Sequence, residues 1–331
     1  MIRSPLPQRA SMRLGPVRLE PVYVERAWGG LELLRKLHPD LPQSQIGESW
    51  DISSYPGADC IVRSGPFFGE PLSVLLRSHG VDILGRKWTG FNDFPLLLKF
   101  LAPLRDLALQ VHPADEYARR FEYQNGKTEC WFIMDCDDEA YVWLGLKNVR
   151  DKEHLARIIH AGEIAAHTRK IPVRRGDVVF VPAGMVHGLG KACLAFEIQQ
   201  NSDVTYRLDD FGMGVDTPED RVEHCRKGID VIDLEANLME PGVSANWDGV
   251  DGHLDFSPYF GLDHIVVDGR DKALPCDGFC RGLTVLSGHG EMRTREDVFP
   301  LTVGESWLLP CSLKGIVVRG ALTVLSSRFP A

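Results

Sequence analysis

Gly176-Asp-Val-Val-Phe-Val-Pro182-Ala-Gly184-Met-Val-His187 reads as a turn, a strand, a second turn and a single histidine. Glycine permits the first turn, proline ends the strand because it has no N–H to give the ladder, and Gly184 relieves the turn that follows. The stretch gains meaning from Gln110-Val-His112-Pro113 upstream. Residues i and i+2 of a strand project from one face, so Gln110 and His112 can reach one point in space, and His187 can join them from another strand. Most of a metal site is thereby present.

Strand signals dominate from about residue 93. Phe94 to Leu101, Leu107 to His112, Thr128 to Met134, Ala140 to Leu144, Asp177 to Val181 and Cys193 to Ile198 are short, apolar or alternating, and closed by turn residues. Many closely spaced short strands predict a sandwich or barrel. Helical periodicity interrupts them at 71–79 and 152–160. A third helix is predicted from about Thr217 to Leu238, with Thr217 as cap and Pro218 at the first helical position.

After Asp248 the strand pattern returns with an echo. Val303-Gly304-Glu-Ser-Trp-Leu-Leu-Pro310 repeats the spacing of Gly176 to Pro182, but Gly315 falls where His187 would be. Two related β-lobes are expected, of which only the first kept its ligands: 15–245, with helical insertions, and a smaller lobe over 246–331.

The 331 residues, 44% of them hydrophobic, can bury a large core, and the formal charge of −9 provides no basic footprint for nucleic acid or an anionic membrane. No apolar run is long enough to span a bilayer. The segment from Met1 to Arg13 lacks the apolar core of a signal peptide, and a cytoplasmic location is expected. Eight cysteines (60, 130, 136, 193, 225, 276, 280, 311) are scattered and default to free thiols in a reducing compartment. Cys276-x3-Cys280 lacks the second pair that a structural zinc site needs.

The spacing Gly176-x5-Pro182-x-Gly184-x2-His187 matches the second signature of the cupin superfamily, the double-stranded β-helix or jelly roll. In the first signature, Gln110 and His112 take the histidine places, and Glu116 stands at roughly the glutamate spacing. Several segments together resemble type I phosphomannose isomerase, especially its short bacterial form. They are Pro21 to Gly30, Gly47-Glu-Ser-Trp50, Pro95-Leu-Leu-Leu-Lys99, Gln110-Val-His112-Pro113, Gly126-Lys127-Thr-Glu129, the His187 loop, and Asn201-Ser-Asp203-Val-Thr-Tyr-Arg207. They occur in the family's order and, with the C-terminal lobe, cover the chain from about residue 15. The fold so implied is mainly β, two cupin-type jelly-roll lobes with a few peripheral helices.

The resemblance implies one zinc ion per chain held by Gln110, His112, Glu129 and His187. Spacing alone leaves Glu116 and Glu129 as alternatives; the family pattern Gly-Lys-x-Glu selects Glu129. It also implies interconversion of mannose 6-phosphate and fructose 6-phosphate by proton transfer between C1 and C2, with zinc as Lewis acid on the sugar oxygens. Lys127, two residues from Glu129 on the same strand face, is the expected proton carrier, with Asp203 competing. Arg207 would stabilise negative charge on the substrate, and Lys99 would meet the phosphate or a sugar oxygen. A sugar phosphate is the expected partner, and the chain a monomer or homodimer.

The same residues also have plainer readings. Lys99 follows three leucines in a strand that reads as buried, where an unpaired ammonium is costly, so a pocket role is favoured. Arg207 could simply pair with Asp209 or Asp210 at the surface. Trp28, Glu48 and Trp50 read as residues that hold the lobe together. Two departures from the family bear on substrate: Ala108 replaces a serine two residues before Gln110, and an arginine is missing around Met213. Alternatives are therefore an isomerase of another or unphosphorylated aldose, or a non-catalytic sugar-binding cupin.

Overall fold

The computed structural model describes residues 14–85, 93–255, 257–275 and 277–328; the Met1 to Arg13 segment and Cys276 lie outside them. Two antiparallel sheets build the first barrel. One runs Ala245–Asn246, Asp177–Val181, Glu129–Cys136, Cys193–Gln200, Leu96–Leu101, Ile46–Ile52, Val22–Glu25. The other runs Thr168–Pro172, Tyr141–Leu146, His187–Leu189, Leu109–Val111, Tyr206–Asp209.

Alternation along Glu129–Cys136 shows how the sheets are used. Trp131 and Ile133 point into the barrel with Val142, Leu144 and Leu189 of the facing sheet. Cys130 and Phe132 point outward, into a larger core that holds Leu262, Leu308 and Leu325 of the C-terminal region and Leu72, Leu75 and Leu76 of a covering helix. With both faces buried, the central strands read as nearly continuous apolar runs, for the reason that parallel sheets do. The outer face of the five-stranded sheet is closed by Leu155, Ile158 and Ile159 of the helix Lys152–His160, together with Cys225 of a second helix.

The C-terminal region centres on two long strands, Arg281–Arg293 and Val317–Arg328, paired along their whole length. Ser306–Leu309 joins one half of this ribbon and Val298–Thr302 the other. The first described strand, Val17–Glu20, pairs with Ser306–Leu309, so this early segment is stitched into the C-terminal sheet.

The helix expected over 152–160 forms as Lys152–His160, and the one expected over 71–79 forms from Leu72 and breaks at His79 (φ −136°, ψ 18°), beyond which a second helical stretch runs on to Leu84. The helix expected from Thr217 to Leu238 is two. Pro218–Val231 begins at a capping box between Thr217 and Asp220 and stops where Ile232 turns extended. Asp233 then caps Leu234–Leu238. Burial of Ile232 and the bond from Asp233 N–H to the Gly184 carbonyl reverse the chain there. The strand Ile46–Ile52 begins well before the first expected strand; its polar Glu48, Ser49 and Asp51 hide its character, although all seven residues are buried.

Candidate metal centre

Register brings the predicted ligands together. Gln110 on Leu109–Val111 faces both His187 and Arg207 on the neighbouring strands, while Glu129 opens its strand opposite Val181 and Gln199. The His112, Glu129 and His187 ligand atoms all lie within 4.8 Å of one another, in a fully buried cluster. The two imidazole Nε2 atoms are 3.1 Å apart, and they stand 3.3 and 3.2 Å from the Glu129 oxygens. Gln110 Nε2 is 3.3 Å from His187 Nε2; half a turn of the amide would present Oε1 instead. Glu116 is exposed on the helix Asp115–Phe121, outside the cluster.

Second contacts fix the tautomers. His112 Nδ1 lies 2.9 Å from the Val204 carbonyl and His187 Nδ1 2.8 Å from the Met185 carbonyl. A carbonyl can only accept, so each Nδ1 carries the proton and each Nε2 presents a lone pair to the centre. Burial, reinforced by Lys127, depresses the His112 imidazolium to about 3. For Glu129, burial alone would raise the carboxyl, but Lys127, His112 and His187 hold it well below the usual range. No hydrogen bond to either Glu129 oxygen has good geometry among the described residues, and the one full charge facing it is the Lys127 ammonium, 3.0 Å from Oε2 at the edge of the cluster. Converging lone pairs and an ionised carboxylate, out of water, call for a cation between them; the residues fit a divalent metal.

Beside the cluster lies a cavity of about 300 Å³ whose lining includes Lys99, Gln110, Lys127, Asp203 and Arg207. Lys127 Nζ is 2.9 Å from His112 Nε2 and 3.0 Å from Glu129 Oε2. Lys99 is buried and does not go unpaired: its Nζ is 2.7 Å from Glu197 Oε2 and 3.8 Å from Glu48 Oε2. Asp203 is exposed on the cavity rim. Arg207 pairs with neither Asp209 nor Asp210. Its Nη1 donates to Asp216 Oδ1 at 2.7 Å, because Asp209 and Asp210 are spent on backbone N–H groups of the Phe211 to Val215 turn.

Three participants escaped sequence reading. Arg26 forks onto Glu48 at 2.9 and 3.2 Å, Glu197 accepts from Trp131 Nε1 at 2.9 Å, and Asp216 anchors Arg207. Glu197 carried the same signal as Lys99, a charge alone in an apolar strand. Trp28 and Glu48 also line the cavity. Burial by itself would raise the Glu48 carboxyl, but Lys99 and Arg26 hold it at about 2. Burial and the Glu129 charge push Glu197 up, and for Lys99 the neighbouring Glu197 and Glu48 outweigh burial and raise the ammonium.

Comparison with known proteins settles the relationship. Residues 17–155 match the catalytic domain of type I phosphomannose isomerase. A probable mannose-6-phosphate isomerase of Bacillus subtilis is 33% identical, over 94% of this chain and 98% of that protein. The chain belongs to the type I phosphomannose isomerases. The crystal structure of the Bacillus subtilis mannose 6-phosphate isomerase superposes with a TM-score of 0.80 at 29% identity, covering 95% of this chain and 99% of its own. A zinc-bound mannose 6-phosphate isomerase shares the fold at 13% identity, with a TM-score of 0.77 over 96% of this chain and all of its own. Fold and family are as the sequence led one to expect. No described helix is long and apolar enough to cross a membrane.

Proposed function

We propose that this chain is a zinc-dependent isomerase of mannose 6-phosphate and fructose 6-phosphate. The observation that carries the reading is the buried convergence of His112, Glu129 and His187 beside a cavity that presents Lys99, Lys127 and Arg207, in a member of this family. Gln110, His112, Glu129 and His187 would hold one zinc ion, whose chemistry is to polarise sugar oxygens as a Lewis acid. Lys127 would carry the proton between C1 and C2; what supports this is its burial at the cavity wall, paired with Glu129 at 3.0 Å. Asp203, on the rim, remains the competitor. Arg207, oriented by Asp216, would meet developing or resident negative charge, and Lys99 a sugar or phosphate oxygen. The lobe over 15–245 would hold all of this machinery.

A second reading has specific support. Ala108 and Met213 line the cavity at the two places where the family resemblance implies a serine and an arginine, and each of Arg26, Lys99, Lys127 and Arg207 already has a carboxylate partner. Fewer free cations favour an aldose without phosphate.

The deciding experiment measures conversion of mannose 6-phosphate, mannose and lyxose by the purified protein, as isolated, after chelation and after zinc is restored. Zinc-restored turnover of mannose 6-phosphate, at a kcat/KM at least tenfold above either free sugar, is expected. Turnover of a free sugar alone would move the assignment to the second reading, and no turnover by folded, zinc-loaded protein would overturn both.

A further inference from the structure

We infer that Cys136 and Cys193 form a redox-responsive pair, able to close into a disulfide between neighbouring strands of one sheet when a low-molecular-weight disulfide is present. The two lie 57 residues apart in sequence, by their numbers, yet sit directly opposite on neighbouring antiparallel strands. The hydrogen bond beside them identifies the kind of pair they make. Asp137 N–H donates to the Ala192 carbonyl at 3.3 Å, one residue beyond each cysteine, so Cys136 and Cys193 occupy a non-hydrogen-bonded position. At such positions the Cα atoms approach to about 4.5 Å and the side chains are closest, within the span a disulfide bridges.

Both side chains also face the same way. Cys193 belongs to the barrel's interior cluster and Cys136 packs against it. Burial, with Cys136 close by, pushes the Cys193 thiol up to about 12. Cys136 is only partly buried and Cys193 fully buried, which sets the order of events. The Cys136 thiolate attacks a small disulfide, RSSR, releasing one RSH. Cys193 then loses its proton and attacks the Cys136 sulfur of the mixed disulfide, releasing the second RSH and leaving the Cys136–Cys193 bond. Two thiols are oxidised, one RSSR is reduced to two RSH, and the two thiol protons end on the released thiols.

The bond would tie the turn end of Glu129–Cys136, seven residues and about 23 Å from Glu129, to Cys193–Gln200. It should therefore act on stability and leave the metal cluster alone. The test incubates the folded, full-length protein with excess oxidised glutathione, blocks remaining thiols by alkylation under denaturing conditions, and maps the peptides. A Cys136–Cys193 linked peptide is expected in most molecules, lighter by two hydrogen atoms, with Tm raised on the order of 5 °C or more and reversal by dithiothreitol. Cys136→Ser and, independently, Cys193→Ala should lose both the linked peptide and the Tm rise. Recovery of both cysteines alkylated, a glutathione adduct at Cys136 that never resolves, or linkage to any other cysteine would overturn the inference.

Discussion

Gly176 and Gly304 both sit at φ +84°, each just before a strand that a proline follows, Asp177–Val181 in one lobe and Ser306–Leu309 in the other. The backbone device is the same and the interiors differ. The first barrel carries His112, Glu129, His187, Lys127, Lys99 and Glu197 among its inward residues. The corresponding core of the C-terminal region is Leu283, Val285, Met292, Leu301, Trp307, Val318 and Val324. A closed β-barrel needs only a packed interior. Chemistry is an addition made by residue identity on the inward face, and it brings a requirement that every inserted charge find a partner.

The strand Ile46–Ile52 shows that requirement in two carboxylates three residues apart. Glu48 faces the first barrel, where Lys99 and Arg26 hold it at about 2. Asp51 faces the C-terminal lobe, where it accepts only from the Ser49 and Ser306 hydroxyls, at 2.6 and 3.0 Å. Burial pushes it up to about 7 despite those bonds. Among the described residues, cations meet Glu48 and hydroxyls meet Asp51.

The sharpest way to break the contrast is His187→Ala. Bound metal, measured by elemental analysis, should fall from one ion per chain to a small fraction, and turnover by on the order of 10³-fold or more; retention of both would show that the histidine distinguishing the two lobes is not the one that matters. A subtler comparison sets Lys99→Met against Arg281→Met. Arg281 is a buried cation of the C-terminal lobe held by Asp263 and Asp277. Each change leaves carboxylates behind, and each should cost about 3–5 kcal/mol in urea unfolding. Only Lys99→Met should also reduce kcat/KM; an equal loss in both would mean that Lys99 is purely structural.

The smallest effect is expected from Asp51→Asn. Because the folded value of Asp51, about 7, lies above its ordinary 3.8, the native state binds the extra proton, and stability declines as pH rises between those values. Glu48 works in the opposite sense: its contribution is present above 4.5 and lost as pH falls towards about 2. Asp51→Asn should remove a loss of up to about 2 kcal/mol between pH 5 and pH 7, read from unfolding midpoints at a series of pH values. An unchanged slope would show that Asp51 is ionised in the folded protein.

Much of this was legible in the sequence, because turns and strand alternation are local. Gly176, Pro182, Gly184 and His187 set out a turn, a strand and a ligand position without reference to the rest of the chain, and Gln110 and His112 share a face by period alone. Lys99 announced its burial by its leucine neighbours. Glu129 was different: spacing left it level with Glu116 until the family resemblance chose, and in the structure a helix carries Glu116 to the surface.

What tertiary structure alone decided is who meets whom across the barrel. The cations' partners are set by strands adjacent in space and distant in sequence, as with Lys99 and Glu197, 98 positions apart by number. Asp216 rather than Asp209 or Asp210 holds Arg207, because the turn's own N–H groups claim the nearer carboxylates. The break at Ile232 and Asp233 came from burial and a bond to Gly184, which no helical period records. Cys136 and Cys193 were unrelated letters until register put them face to face. Local sequence specifies what each segment can present; a sheet's register, fixed by long-range hydrogen bonds and by the two cores it separates, determines what that presentation encounters.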